Sequence, residues 1–177
     1  IGLSIEQLSE NNLSADKRAT LLKTVQNKIT HIDKNIKALL TLTTSGINRD
    51  DKVPILAVIQ DIILEYKLCQ ERPVTFHLEI EPTLHINGAE SEIRSILHTL
   101  IINAAEACLN EGKINIRAQI SAQKVLTLIV IDNGSGIDKS INNSLFQPHV
   151  STKPEGAGMG LYIAKRIISL HYQGDII

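Results

Sequence analysis

Four short stretches of this chain hold residues whose types and spacing suit ligand chemistry. In Leu100-Ile101-Ile102-Asn103-Ala104-Ala105-Glu106-Ala107, Asn103 is a lone polar residue in an apolar run. A buried amide must satisfy both its ends, so Asn103 either bonds locally or faces a polar cavity. Asp132-Asn133-Gly134-Ser135-Gly136 directly follows a second apolar run. Such a string is a common turn. Its glycines also let backbone approach a flat ligand, and a carboxylate at a strand end can accept from an exocyclic amine. In Leu145-Phe146-Gln147-Pro148-His149-Val150-Ser151-Thr152-Lys153, one of only two Phe residues sits in an otherwise flexible segment, where it can anchor a lid. Gly156-Ala157-Gly158-Met159-Gly160-Leu161 opens onto a helical pattern, whose free N–H groups and dipole attract phosphate.

The elements that must position these groups follow from apolar spacing. Ile55, Val58, Ile59, Ile62, Ile63 and Tyr66 predict a helix over 54–70, and Val74, Phe76, Leu78 and Ile80 alternate as a half-buried strand. Leu84 and Ile86 suggest a second short strand. Ile93, Ile96, Leu97, Leu100, Ile101, Ala104 and Ala105 face inward on a long helix over 89–109. Ile114, Ile116, Ala118 and Ile120 alternate again. Residues 125–131 are nearly all apolar and predict a central strand. Residues 138–156 carry no strong period and read as a lid, followed by an amphipathic helix from Leu161 and a last strand opening at Gly174-Asp175-Ile176. The order predicts an α+β fold, a two-layer α/β sandwich with helices on one face of a mixed sheet.

Upstream, Leu22, Val25, Ile29, Ile32, Ile36 and Leu39 recur at alternating steps of three and four, a heptad seam on a helix over 16–44. So long a helix with so narrow a stripe needs a partner helix, and the short helical stub at 1–10 covers only part of it. The polar, glycine-bearing stretch after it reads as a linker. The predicted organisation is a helical-hairpin dimerisation fragment over 1–46, a linker over 47–52 and a second domain over 53–177.

Composition narrows the class. The chain has 177 residues, 43% hydrophobic, 21% charged and 3% aromatic with no Trp, so the core is aliphatic and wholesale disorder is excluded. Lys plus Arg is 18 against 19 for Asp plus Glu. That balance argues against a broad nucleic-acid or anionic-lipid footprint while leaving room for a local phosphate site. Cys69 and Cys108 lie in apolar helical patterns and read as buried free thiols, which suits a reducing compartment. No apolar run approaches the ~18 residues of a membrane span. The start at Ile1 carries neither Met nor a basic leader, and the expectation is a piece of a longer protein.

Taken together, the four stretches resemble the ATP-binding domain of sensor histidine kinases, in the superfamily shared with gyrase, heat-shock chaperone and mismatch-repair ATPases. Asn103 matches the Asn box, Asp132 to Gly136 the first glycine box, Phe146 the Phe box and Gly156 to Gly160 the second glycine box. Tyr172-Gln173-Gly174-Asp175-Ile176 is similar to the family's His-x-Gly-x-Ile, with Tyr172 at the His position. The resemblance covers about 53–177 and extends, through the heptad helix, to the family's dimerisation and phosphotransfer bundle.

The resemblance implies a Bergerat-type fold and a set of roles. Asp132 takes the adenine amine. Gly134 and Gly136 let the loop pass the base. Asn103 holds Mg²⁺ through its side-chain oxygen, a hard ligand suited to that ion. Gly156, Gly158, Gly160 and Leu161 surround the phosphates, with Phe146 and Lys153 contributed by the lid. ATP and Mg²⁺ are the implied cofactors. The implied activity is transfer of the γ-phosphoryl group to a bundle histidine and then to the Asp of a response-regulator receiver domain. The implied assembly is a homodimer through the N-terminal helices, cytoplasmic, of a membrane-anchored sensor, with no nucleic-acid or membrane contact by this segment.

Two departures matter. Where many members carry Asn, four residues before the box Asn, this chain has Thr99, and the superfamily's hydrolysing ATPases carry a Glu base there. Thr cannot act as that base at neutral pH, so transfer is favoured over hydrolysis. Glu106 places the chain near the nitrogen-regulation-like branch. None of His31, His77, His85, His98, His149 or His171 has the acid and later Pro of a phosphoacceptor motif, so the acceptor is expected just upstream of Ile1. The rival readings are an ATP hydrolase or Ser/Thr kinase of the same superfamily, and a dimerisation module with an inactive nucleotide pocket.

Overall fold

The computed structural model describes residues 16–22, 24, 25, 29, 36, 47–69, 73–109, 111–151 and 158–177. Among the first of these, residues 16–22, 24, 25, 29 and 36 are helical, and Leu22, Ile29 and Ile36, seven apart, are 50–56% exposed. The stub at 1–10 and the remaining seam positions other than Val25 lie outside the described residues.

From Lys52 onward the described chain forms five strands and three helices: β1 Lys52–Pro54, α1 Ile55–Cys69, β2 Val74–Ile80, β3 His85–Asn87, α2 Glu90–Ala107, β4 Gly112–Ile120, β5 Leu126–Asp132 and α3 Gly160–His171. A short 3-10 helix, Asn142–Ser144, lies in the expected lid. β2 pairs in parallel with β4, Val74 opposite Gly112, and β4 pairs antiparallel with β5, Ile114 opposite Asp132. β1 pairs antiparallel with β3, Lys52 opposite Asn87. The sheet is mixed, as the sequence predicts.

Helices α1 and α2 cover one face of that sheet. Ile55, Ile59 and Ile62 of α1, Ile101 of α2 and Ile116 of β4 have no exposed surface, and Leu126, Leu128 and Val130 of β5 close on them. Burying each such side chain is worth about 1.5–3 kcal/mol, so this aliphatic cluster supplies what an aromatic-poor core lacks in large rings. A second cluster joins α3 to α2: Ile163, Ala164 and Ile167 pack on Ile96. Helix α2 therefore contacts α1, α3, β4 and β5.

Two expectations are corrected. β5 is an edge strand among the described residues, in the order β2-β4-β5, with β4 central. Its apolar run conceals a strict alternation, and Ile129 and Ile131 on the outward face are 41% and 47% exposed. Gly174–Ile177 forms no strand. Gly174 N–H instead donates to Ile168 O (3.3 Å), closing the C-terminus of α3, while Lys165 Nζ binds Asp175 Oδ1 (3.0 Å) and Ile176 O (3.2 Å).

A buried carboxylate completes the helical layer. Glu92, in the first turn of α2, is fully buried. Its Oε1 accepts from Arg49 Nη2 (2.5 Å) and lies 2.9 Å from His171 Nδ1; its Oε2 accepts from Arg49 Nε (2.9 Å) and from the Tyr172 hydroxyl (2.8 Å). Ala89 N–H donates to that hydroxyl (3.1 Å). Burial pushes the Glu92 carboxyl up, but the hydrogen bonds from Arg49 and Tyr172, with the charges of His171 and Arg49, outweigh it and hold it below its ordinary value. Burial, together with the bond to Glu92, pushes the Tyr172 phenol up to about 12.

A folded-state carboxyl held below the ordinary 4.5 contributes stability above that pH, and the contribution fades as pH falls through the folded value. Glu92→Gln is therefore expected to lower thermal stability at pH 7 by about 2 kcal/mol, the scale of hydrogen bonds to a charged group. The gap to the parent should narrow progressively below pH 4.5. Melting temperatures of both proteins from pH 7 to pH 3 check this. A constant difference across that range would contradict it.

Candidate functional site

One stripe of α2 organises the expected site. Thr99, Asn103 and Ala107 lie at i, i+4 and i+8, on one face of the helix with about 6 Å of axial rise between neighbours. Each end of the stripe touches a glycine-rich turn. A Cβ on Gly134 would lie 2.5 Å from Ala107 O and 2.6 Å from Ala107 C. Ser135 N–H donates to the same carbonyl (3.2 Å), which is one of the last of α2 and has no partner within the helix. At the other end, a Cβ on Gly160 would lie 3.1 Å from Thr99 Cγ2. Half-buried Asn103 thus sits midway between the two turns that the sequence singles out.

The first turn is held by its own side chains. Asp132 ends β5 and is exposed; its Oδ1 accepts Gly134 N–H (2.8 Å). Among the described residues no group donates to Oδ2, which remains open to a ligand amine. Asn133 points the other way: its Oδ1 accepts Lys113 N–H (2.8 Å) and lies 3.4 Å from Cys108 Sγ, and its Nδ2 donates to Glu111 O (3.4 Å). Asn133 is an anchor that sequence reasoning did not find, because its partners are some twenty residues away. Cys108 is a buried free thiol, as expected. The Cys69 side chain lies outside the described residues. Gly136 has a positive φ of 73° and open space where a Cβ would stand.

The second turn enters α3. Gly158 has a φ of 65°, and a Cβ there would lie 2.5 Å from Val150 N and 2.6 Å from His149 C, so glycine is required twice over. This contact seats the C-terminal end of segment 138–151 against the approach to α3. Gly160 and half-buried Leu161 form the first turn of α3, where backbone N–H groups lack intrahelical partners. Lys153 and Gly156 lie outside the described residues.

Phe146 is placed elsewhere. It packs on the flank of α3, with Lys165 Nζ 4.5 Å from its ring centroid, and lines a cavity of about 350 Å³ with Asn143, Gln147, Tyr162, Arg166 and Ser169. That flank is not the Thr99–Asn103–Ala107 stripe. Phe146 is thus linked to the second glycine turn through α3, while the first glycine turn rests on α2, and the three are not gathered around one cavity.

The residues fit a nucleotide carrying a magnesium ion. Asp132 offers one free carboxylate oxygen, the start of α3 offers backbone N–H donors, and Asn103 lies between them. No group of three or more His, Cys, Asp or Glu residues among those described can hold a metal. A hard cation at Asn103 would then take most of its ligands from phosphate and water, as Mg²⁺ commonly does.

Residues 88–177 match the histidine kinase-, DNA gyrase B- and HSP90-like ATPase family. The chain belongs to this family. The match begins just before α2 and takes in both glycine turns, so this ATPase-family domain includes the whole stripe. Among relatives, the signal transduction histidine-protein kinase AtoS of Escherichia coli is 31% identical over 157 residues, 88% of this chain and 26% of that protein. The chain thus spans about a quarter of that relative. In solved structures, the complex of histidine kinase ThkA with response regulator TrrA matches with a TM-score of 0.76 at 18% identity, over 99% of this chain and 51% of that one. Full-length ShkA with AMPPNP matches with a TM-score of 0.69 at 22% identity, over 94% and 37%. These likenesses establish the shared fold of the ATPase-family domain.

The contact of Gly134 with α2 generates a test. Gly134→Ala must push the turn away from Ala107, since backbone cannot yield as a flexible side chain does. A loss of about 1–3 kcal/mol in unfolding free energy is expected, the usual scale of overpacking. Gly136→Ala meets no atom and carries only the strain of its positive φ, about 1 kcal/mol. Urea unfolding of both variants checks the order; equal losses would remove the claim that turn and helix are in tight contact.

Proposed function

We propose that this chain is the ATP-binding core of a sensor histidine kinase. It binds Mg-ATP along the Thr99–Asn103–Ala107 stripe and donates the γ-phosphoryl group to a histidine outside these 177 residues, from which it passes to the Asp of a response-regulator receiver domain. The observation that carries this reading is the placement of Asn103 midway between two glycine turns, each touching the same face of α2. Asp132 Oδ2 accepts from the adenine amine, directly or through water. The N–H groups at the start of α3 receive phosphate oxygens, favoured by the helix dipole. Asn103 presents its amide oxygen to the metal, which supplies charge neutralisation on the phosphates when bound. The protein's work is to position the nucleotide and exclude water, which is most of what in-line phosphoryl transfer requires.

Kinship supports the transfer chemistry. AtoS is named a histidine-protein kinase, and the Salmonella typhimurium relative ZraS a sensor histidine kinase. ThkA was solved with a response regulator and ShkA with AMPPNP. Thr99 adds a local argument against hydrolysis: its methyl faces Gly160, and a hydroxyl has no basicity with which to activate water at neutral pH. We assign residues 1–46 to a dimerising helical bundle, 47–52 to a linker and 53–177 to the ATP-binding domain. The exposed heptad positions Leu22, Ile29 and Ile36 offer a stripe that a second copy would cover. We assign this domain to the cytoplasm, where ATP and a receiver-domain partner would be met. No helix among the described residues is long and apolar enough to cross a membrane.

Asp132→Ala is expected to weaken ATP binding ten- to a hundred-fold in calorimetry, about 1–3 kcal/mol for an unpaired amine. Unchanged affinity would mean that the base binds elsewhere. Asn103→Ala should instead remove the Mg²⁺-dependent part of nucleotide affinity and keep most of the affinity for metal-free nucleotide. Equal losses with and without Mg²⁺ would refute its metal role.

A further inference from the structure

Helices α2 and α3 run antiparallel. Gly160, at the start of α3, meets Thr99 in the second half of α2, while His171 and Tyr172, at the end of α3, meet Glu92 in the first turn of α2. Between these ends Ile163, Ala164 and Ile167 pack on Ile96. The proposed nucleotide site occupies one end of the pair and the buried carboxylate the other. Glu92 lies eleven residues from Asn103 and His171 eleven from Gly160, about 16 Å along each helix.

Arg49 reaches the carboxylate from outside both helices. It belongs to the polar segment 47–51, which precedes β1 and leads from the heptad helix into the ATPase-family domain. Its guanidinium spans both Glu92 oxygens and also lies 3.0 Å from His171 Nδ1. The segment carries further order of its own. Asn48 Oδ1 accepts Asp50 N–H (3.0 Å), Asn48 Nδ2 donates to Asp51 Oδ1 (3.1 Å), and Asp51 O accepts Gly88 N–H (3.0 Å).

We propose that Arg49 and Glu92 are a positioning pair that couples segment 47–51 to the nucleotide site between α2 and α3. The inference rests on the nucleotide reading above. A ligand seated between Asn103 and the start of α3 fixes the spacing of the two helices at one end. Packed helices move as units, so the far end, where Glu92 gathers Arg49, His171 and Tyr172, shifts with them. Bidentate geometry makes the pair sensitive to such a shift, because both parallel hydrogen bonds require the carboxylate in one orientation. The same coupling runs in reverse: a pull on segment 47–51 alters the helix pair and hence nucleotide affinity.

Amide hydrogen exchange on the 177-residue chain, with and without saturating Mg·AMPPNP, tests this. In the parent, amides of 47–51 should exchange at least threefold more slowly with nucleotide bound. In Arg49→Met that response should vanish while calorimetric affinity for Mg·AMPPNP stays within threefold of the parent, and Arg49→Lys, which keeps one charged contact, should restore part of it. A pair with a merely stabilising role would lower the melting temperature and leave the exchange response in place. A parent segment indifferent to bound nucleotide, or a response that survives in Arg49→Met, overturns the coupling. If Arg49→Met fails to fold by circular dichroism, Arg49→Lys decides, since an undiminished response there also overturns it. No calorimetric binding by the parent would instead overturn the nucleotide reading, and the coupling with it.

Discussion

Helix α2 is constrained on every side, and the rest of the domain is arranged around it. Ile93, Leu97 and Ile101 are committed to the sheet and α1, and Ile96 to α3. That leaves a narrow stripe through Thr99, Asn103 and Ala107. Two turns must reach this stripe closely enough to share a ligand with Asn103, and each does so at a residue without a side chain. Gly134 sits against a backbone carbonyl and Gly160 against a threonine methyl. A Cβ at the first site would overlap backbone atoms of α2 and could be accommodated only by separating turn from helix. The glycines are therefore set by the packing of α2 as much as by any approach of a ligand.

The other end of α2 solves a different problem. A fully buried carboxylate is costly unless it is paired and its lone pairs are filled. Glu92 has both: a bidentate guanidinium, a phenol and an imidazole nitrogen surround its two oxygens. The histidine lies within hydrogen-bond distance of both a donor and an acceptor through the same Nδ1. Nδ1 accepts from Arg49 when it carries no hydrogen and donates to Glu92 when it does, so the ring tautomer decides which bond is made. The charge of Glu92 is thus balanced by groups drawn from two stretches of chain, each far from it in sequence.

That separation explains what the sequence did and did not disclose. Periodicity exposed α1, α2, α3, β2 and β4, since each buries one regular face, and the glycine turns stood out because Gly and Asp cluster at element ends. Asn103 stood out as a polar interruption of an apolar run. Glu92 did not, because an acid in the first turn of a helix is ordinary on local grounds, and its burial is decided by residues 43 and 79 or 80 positions away. Arg49 looked like one charge among several in a polar linker. β5 misled for a related reason: aliphatic side chains on both faces do not reveal which face is covered. The outward Ile129 and Ile131 are told apart from Leu128 and Val130 only by tertiary position.

The C-terminus and the flank of α3 are held with unequal strength. At its C-terminus, Tyr172 and His171 join the buried Glu92 node, where removing a partner strands a charge. Along its flank, Lys165 lies over the Phe146 ring of segment 138–151 and also serves Asp175 and Ile176. Its side chain is 34% exposed. A cation over an aromatic ring at such a site is worth about 0.5–1 kcal/mol, and an exposed ion pair no more. Contacts of that size are comparable to thermal energy and open readily. The Glu92 node thus lies at the opposite end of α3 from Gly160, and the weaker Phe146–Lys165 contact lies on the helix flank between the two ends.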